Sequence, residues 1–124
     1  MKKFAIAALV LLSQATTVFA QTEFKVNAVD GNGESKSINV KVSYEEDNKK
    51  EIDQKRVNLL VDKTSKRIKA ELKNEYSYVP RSATINQQGV AFMVKMRYTA
   101  KNSYGADVVN TTDQIFVMKD DGSF

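Results

Sequence analysis

From Asn48 to Lys73 the chain contains neither glycine nor proline, and its apolar residues change period. Val57, Leu60, Val61, Thr64, Ile68 and Leu72 share one face when successive residues turn by about 100°. A strand cannot use that spacing, because its side chains repeat every two residues. The stretch therefore predicts an amphipathic helix of about 25 residues, roughly 37 Å long at 1.5 Å per residue. Asn48, with Glu51 three positions on, has the form of a capping box at its start. Thr64-Ser65 is its weakest point. Pro80 bars continuation, and Tyr76 to Val79 read as an extended exit. A helix with one apolar face needs an apolar surface to cover, and the rest of the chain has to supply it.

The flanking segments supply strands. Phe24 to Ala28 alternates apolar and polar, Asp30-Gly31-Asn32-Gly33 is a turn signal, and Ile38, Val40, Val42 and Tyr44 form the apolar side of a second strand. Past the helix, a short strand at Ala83 to Ile85 closes on Asn86-Gln87-Gln88-Gly89. Val90 to Lys101 alternates most clearly, with Val90, Phe92, Val94, Met96, Tyr98 and Ala100 on one side. Met96 and Tyr98 thus fall to the core, Met93 and Arg97 to the opposite surface. Ala106 to Met118 is the last long strand, and its alternation slips around Thr112-Asp113 in the manner of a β-bulge. The order β-β-α-β-β-β predicts a two-layer α+β domain, one long amphipathic helix on a curved antiparallel sheet. By architecture this is similar to cystatin-like or nuclear-transport-factor-like folds, which host many unrelated functions.

The N-terminus reads as a secretory signal peptide. Lys2 and Lys3 precede the apolar run Phe4 to Leu12, and Val18-Phe19-Ala20 is a small-residue cleavage signal. About 20 apolar residues are needed to cross a bilayer, and this run is far shorter. The expected organisation is a leader over residues 1–20 and a single domain over 21–124, with export to the periplasm or beyond. There is no cysteine in the chain. An exported chain of this size without disulfides points to a bacterial host.

Three stretches carry candidate chemistry, each with a plainer reading beside it. Between Lys49 and Lys73 there are nine basic and four acidic residues. Lys55, Arg56, Lys63, Lys66, Arg67, Lys69 and Lys73 lie broadly opposite the apolar face, as a solvated surface or as a weak attraction to an anionic one. Without Lys2 and Lys3 the chain has 17 basic and 15 acidic residues, a small excess. With no recognition motif either, nucleic acid is not an expected partner. Asp30 to Glu34 has oxygens at alternate positions like a calcium loop, but Ser35 and Lys41 stand where such loops need glycine and glutamate. It reads as a hairpin turn. Asn102, Ser103, Tyr104 and Gly105 suffice for another turn; as a loop tip, Asn102, Ser103 and exposed Tyr104 form a recognition point instead.

Enzymatic chemistry is narrowed by what is missing. Without histidine or cysteine there is no imidazole base, thiolate nucleophile or zinc-thiolate site. A carboxylate or Ser-Lys hydrolase is the remaining possibility, and no spacing of Asp107, Asp113, Asp120 and Asp121 demands it. No cofactor or metal is expected.

The run Tyr98-Thr99-Ala100-Lys101-Asn102-Ser103-Tyr104-Gly105 resembles a Y-x-A-K-N-S-F/Y-G signature of small bacterial proteins, many of them exported. In those proteins it precedes a strand ending in an aromatic and a closing Asp-Gly turn, matched by Phe116 and Asp121-Gly122. Leu72-Lys73-Asn74 is similar to their L-K-N-P-D-S helix exit, departing at Glu75-Tyr76. The resemblance spans residues 66–124, implies a shared hairpin, and brings no activity with it. Taken together, the expectation is an exported, non-catalytic binding module for a protein or envelope component. Its binding residues are expected among Asn102, Ser103, Tyr104, Arg97 and Met93. The alternative is an envelope-associated structural protein held at anionic surfaces by the basic helix.

Overall fold

The computed structural model describes residues 18–124; residues 1–17, the greater part of the expected leader, lie outside the described residues. Five strands form one open sheet in the order β1 (Phe19–Val29), β2 (Ser35–Glu45), β3 (Val79–Gln88), β4 (Ala91–Lys101), β5 (Asp107–Val117). The helix α1 (Gln54–Glu71) packs on one face, so the class is α+β in the order read from the sequence. The sheet is not wholly antiparallel as expected, because β2 and β3 run parallel side by side. The helix between them forces this: a crossover returns the chain to the same end of the sheet, whereas the three tight hairpins reverse it. Phe19 and Ala20, assigned to the leader by sequence, pair with Glu45 and Tyr44.

Alternation builds the core. Val26 and Ala28 of β1, Ile38, Val40, Val42 and Tyr44 of β2, Ala83 and Ile85 of β3, and Phe92, Val94 and Met96 of β4 are buried on the helix side. Val57, Leu60, Val61, Thr64, Ser65 and Ile68 meet them from α1. Tyr98 lies half-buried at the margin of this layer. At the far end Phe124 closes the core edge-on against Phe92, ring centroids 5.1 Å apart.

Several boundaries differ from the sequence reading. The helix has 18 residues, not 25, because its first turn is capped by Asp53, whose Oδ1 accepts the Arg56 N–H at 2.8 Å. Asn48 caps nothing; it sits in a 3-10 turn, Glu46–Glu51, and its amide donates to Glu45 Oε1. Thr64 and Ser65 do not weaken the helix: Thr64 bonds back to the Leu60 carbonyl at 2.8 Å and Ser65 bonds Tyr78. The exit begins with a second 3-10 turn, Glu75–Ser77, and only Tyr78 and Val79 are extended as expected. β3 has ten residues where the sequence predicts Ala83 to Ile85, and includes Pro80, which is tolerated beside a bulge between Pro80 and Ser82. β5 has no bulge at all, since its register against β4 is continuous from Asp107 to Val117.

The first hairpin is tied to the helix exit. The Gly31 N–H donates to the Tyr78 carbonyl at 2.8 Å. A Cβ added at Gly31 would stand 2.1 Å from the Glu75 carbonyl oxygen and 2.6 Å from the Tyr76 carbonyl carbon. Glycine is required there by close approach of backbone to backbone.

Candidate functional site

The helix covers one face of the sheet and leaves the other open. Register places the open-face side chains in rows that cross the strands. One row runs Gln21, Ser43, Asn86, Met93, Ile115; the next Glu23, Lys41, Thr84, Lys95, Asp113; the third Lys25, Asn39, Ser82, Arg97, Thr111. Ser43, Asn86, Met93 and Ile115 of the first row, with Phe19, Gln87, Gln88 and Ala91, line a groove of about 390 Å³. Met93 and Ile115 are exposed there, and Val117 beside them opposite Ala91, although all three are large apolar side chains. Lys41, Lys95 and Arg97 line a second depression of about 440 Å³ on the same face. In that row Lys95 is drawn towards Asp113 at 3.9 Å. The open face therefore carries an apolar end beside a mainly basic middle.

Behind the groove stands a polar lock. Gln87 is fully buried; its Oε1 accepts the Glu45 N–H at 2.8 Å and its Nε2 donates to the Gly89 carbonyl at 2.6 Å. The Glu45 carboxylate accepts in turn from the Gly89 N–H. These bonds fix the end of β2 against the β3–β4 turn, and hence the floor on which Met93 and Ile115 stand.

The five expected binding residues do not form one site. Met93 lies in the apolar groove and Arg97 in the basic depression. Asn102, Ser103 and Tyr104 lie beyond the end of β4, where Tyr104 is 94% exposed. Asn102 is the frame of the turn: its Oδ1 accepts the N–H groups of Tyr104 and Ala106 at 2.9 and 3.1 Å. Asp30 does the same for Asn32 and Glu34 at 2.8 and 2.9 Å, so the calcium-like stretch is a hairpin turn built on one pattern with the Asn102 loop. The Glu34 N–H above all, with that of Asn32 and the nearby Lys36 and Lys69, holds the Asp30 carboxyl below its usual range, against the opposing pull of burial. Ser103 meets the helix exit: Lys73, expected on the helix face but two residues beyond the end of α1, has its Nζ 3.5 Å from Ser103 Oγ, and both border a groove of about 440 Å³ with Glu71 and Asn110.

The basic helix face is partly engaged. Arg56 pairs with Glu51 at 3.2 Å and Asp53 at 3.0 Å and reaches the Gly122 carbonyl. Lys66 pairs with Asp62 at 3.1 Å. Arg67 bonds Gln114 at 3.1 Å and stacks 4.1 Å above the Phe116 ring centroid. Arg56 and Arg67 thus flank the helix and clamp it to the C-terminal strand and turn, rather than pointing away from the core. Lys55, Lys63 and Lys69 complete the set, Lys55 exposed and the other two half-buried.

Two tyrosines form the remaining titratable cluster. Tyr78 is buried, its hydroxyl 2.7 Å from Ser65 Oγ, and its ring is tilted 5.5 Å from that of Tyr98. Burial pushes the Tyr78 phenol up to about 12, with the Ser65 bond opposing. Burial also raises Tyr98, with Glu71 adding to it. The bonds of Ser123 to Asp121, hydroxyl first, lower that carboxyl. Among the described residues no buried side-chain polar atom lacks a partner, no acidic group gathers as a metal site, and no helix is long and apolar enough to cross a membrane.

The groove partners of Met93 escaped the sequence reading. Ile115 and Val117 sit out of phase with buried Phe116, and that is the slip read as a bulge. The signal was present: apolar residues at odd positions of β5 mark apolar residues on the solvent face. Comparison of the chain with protein-family models, with curated proteins and with solved structures returns no match.

Proposed function

We propose that the protein is an exported, non-catalytic binding module that recognises a protein partner of the bacterial envelope across the uncovered face of its sheet. The observation that carries this reading is the exposed Met93–Ile115 pair with Ala91 and Val117, bordered by Lys41, Lys95 and Arg97. An apolar patch rimmed by charge suits protein recognition, the apolar part giving affinity and the rim giving orientation. Attachment through the basic helix has less support, because Arg56, Lys66 and Arg67 are occupied within the molecule. Export itself rests on the leader motif; the mass of the mature protein from a periplasmic or culture fraction should correspond to a start at Gln21. The Met93–Ile115 pair is kept whether or not Phe19 is removed.

The test is retention of envelope proteins by the purified protein across a salt series, with Met93→Glu beside it. One protein held from low to high salt by the wild type, and lost with Met93→Glu, supports the sheet-face reading. Broad retention that disappears at moderate salt, when exposed charges are screened, would transfer the function to the basic helix. If nothing is retained, the binding-module reading fails.

A further inference from the structure

The two outer strands of the sheet are treated differently. β1 is guarded: Lys25 and Glu23 stand on it, and Gln54 of the helix donates to the Lys25 carbonyl at 3.1 Å. β5 carries no lysine, arginine or proline, and eight of its eleven residues are exposed. Among the described residues no hydrogen bond reaches its outer backbone edge, since its partners all lie on β4. Lysine, proline, bulges and covering segments are the usual protections of an edge strand, and β5 lacks them; its two charges, Asp107 and Asp113, are drawn to Lys101 and Lys95 of β4 at 3.1 and 3.9 Å.

Its sequence, Asp-Val-Val-Asn-Thr-Thr-Asp-Gln-Ile-Phe-Val, is also self-complementary about Thr112. Reversed upon itself, it sets Val109 against Ile115, Val108 against Phe116, and Asn110 against Gln114. Asp113 falls opposite Thr111 and Asp107 opposite Val117, so no like charges are directly opposed; the two copies of Asp113 stand diagonally, about 7–8 Å apart, each drawn to Lys95 of its own β4. Cross-strand apolar pairs stabilise a sheet and opposed like charges weaken it. We propose that β5 pairs antiparallel with β5 of a second copy of this chain, on a two-fold axis through Thr112, joining two five-stranded sheets into one. Either kind of antiparallel residue pair can lie on such an axis, and the same patch serves both copies. Val109, Ile115 and Val117, 53%, 60% and 58% exposed, come together across the axis on the open face. This interface is made by the backbone edge of β5, and its apolar pairs share Ile115 and Val117 with the recognition patch proposed above.

An eleven-residue edge is a small interface, in the class of transient contacts below about 1,200 Å². Sedimentation of the full chain as its host produces it, from about 10 µM to about 1 mM, is therefore the first measurement. A dimer should form within that range. Val109→Lys with Ile115→Lys sets lysine against lysine and should weaken dimerisation at least tenfold, whereas Val109→Lys with Ile115→Glu sets opposite charges and should restore it. A melting curve for each variant shows that it is folded. Register is tested by cysteine in a chain that has none. Paired Cα atoms lie about 4.5–5.5 Å apart, within disulfide reach, so Thr112→Cys should cross-link on oxidation. Asn110→Cys leaves its two copies roughly 14 Å apart and should not. A monomer at every concentration would overturn the proposal. So would equal cross-linking of the two cysteine variants, or a dimer that Thr112→Cys fails to trap.

Discussion

Gly31 shows how one position can carry a long-range contact. Its missing side chain admits the backbone of Glu75 and Tyr76. Gly31→Ala forces backbone apart and is expected to cost about 3 kcal/mol, the upper part of the overpacking range. Gly33, three residues before Lys36 in the same hairpin, has φ +85° and open space around it. Gly33→Ala meets only the left-handed backbone penalty and should cost about 1 kcal/mol. Urea midpoints of the two variants compare the causes directly. Tyr78 makes a pH prediction. Its phenol is raised from 10.0 to about 12 in the fold, so the folded state holds the proton more tightly. The corresponding stability is complete below the unfolded value and is lost as pH rises from about 10 to about 12, to a limit of about 3 kcal/mol. Urea unfolding followed across that window should show an alkaline decline. Tyr78→Phe should reduce it, leaving the part owed to the raised Tyr98, while lowering stability at neutral pH because Ser65 loses its partner.

At the scale of elements, the β4–β5 hairpin separates architecture from display. Asn102 holds two N–H groups of its own turn, and Tyr104 projects into solvent. Asn102→Ala should cost about 1–2 kcal/mol, with Asn102→Asp retaining most of the stability. Tyr104→Ala should change stability by less than about 0.5 kcal/mol. A binding defect confined to Tyr104→Ala would place recognition at the tip; unchanged binding would leave the loop as a connection. The turn was legible because Asn and Gly act on their immediate neighbours. The helix start was not. Asn48-x-x-Glu51 and Asp53 are both acceptable openings, and the choice fell to Asp53, where Ile52 packs against the core and Arg56 reaches the C-terminal turn.

For the whole molecule, the last residue matters more than its place suggests. Phe124 packs edge-on to Phe92 and to Phe116, the latter at 6.5 Å between centroids, and beneath it Arg56 holds Gly122. Phe124→Ala should lower stability by about 1–3 kcal/mol through lost apolar burial. Thermal or urea unfolding checks this, and a shift near zero would mean the C-terminal turn is detached in solution. The same clamp explains why counting basic residues on the helix overstates a free charged face. Arg56 and Arg67 serve contacts 66 and 47 residues away along the chain.

The sequence by itself determined the class of the fold and the order of its elements, because periods of two and of about 3.6 residues are imposed by local backbone geometry. It also determined which side of β4 is buried and that two glycine-containing stretches are turns. Tertiary structure alone decided that β2 and β3 lie parallel, that β3 runs on through Pro80, and that Gln87 locks Glu45 from 42 residues away. It likewise decided that the apolar residues at odd positions of β5 face solvent. A local pattern states that a strand has two faces; which of them is covered depends on where a distant helix comes to rest.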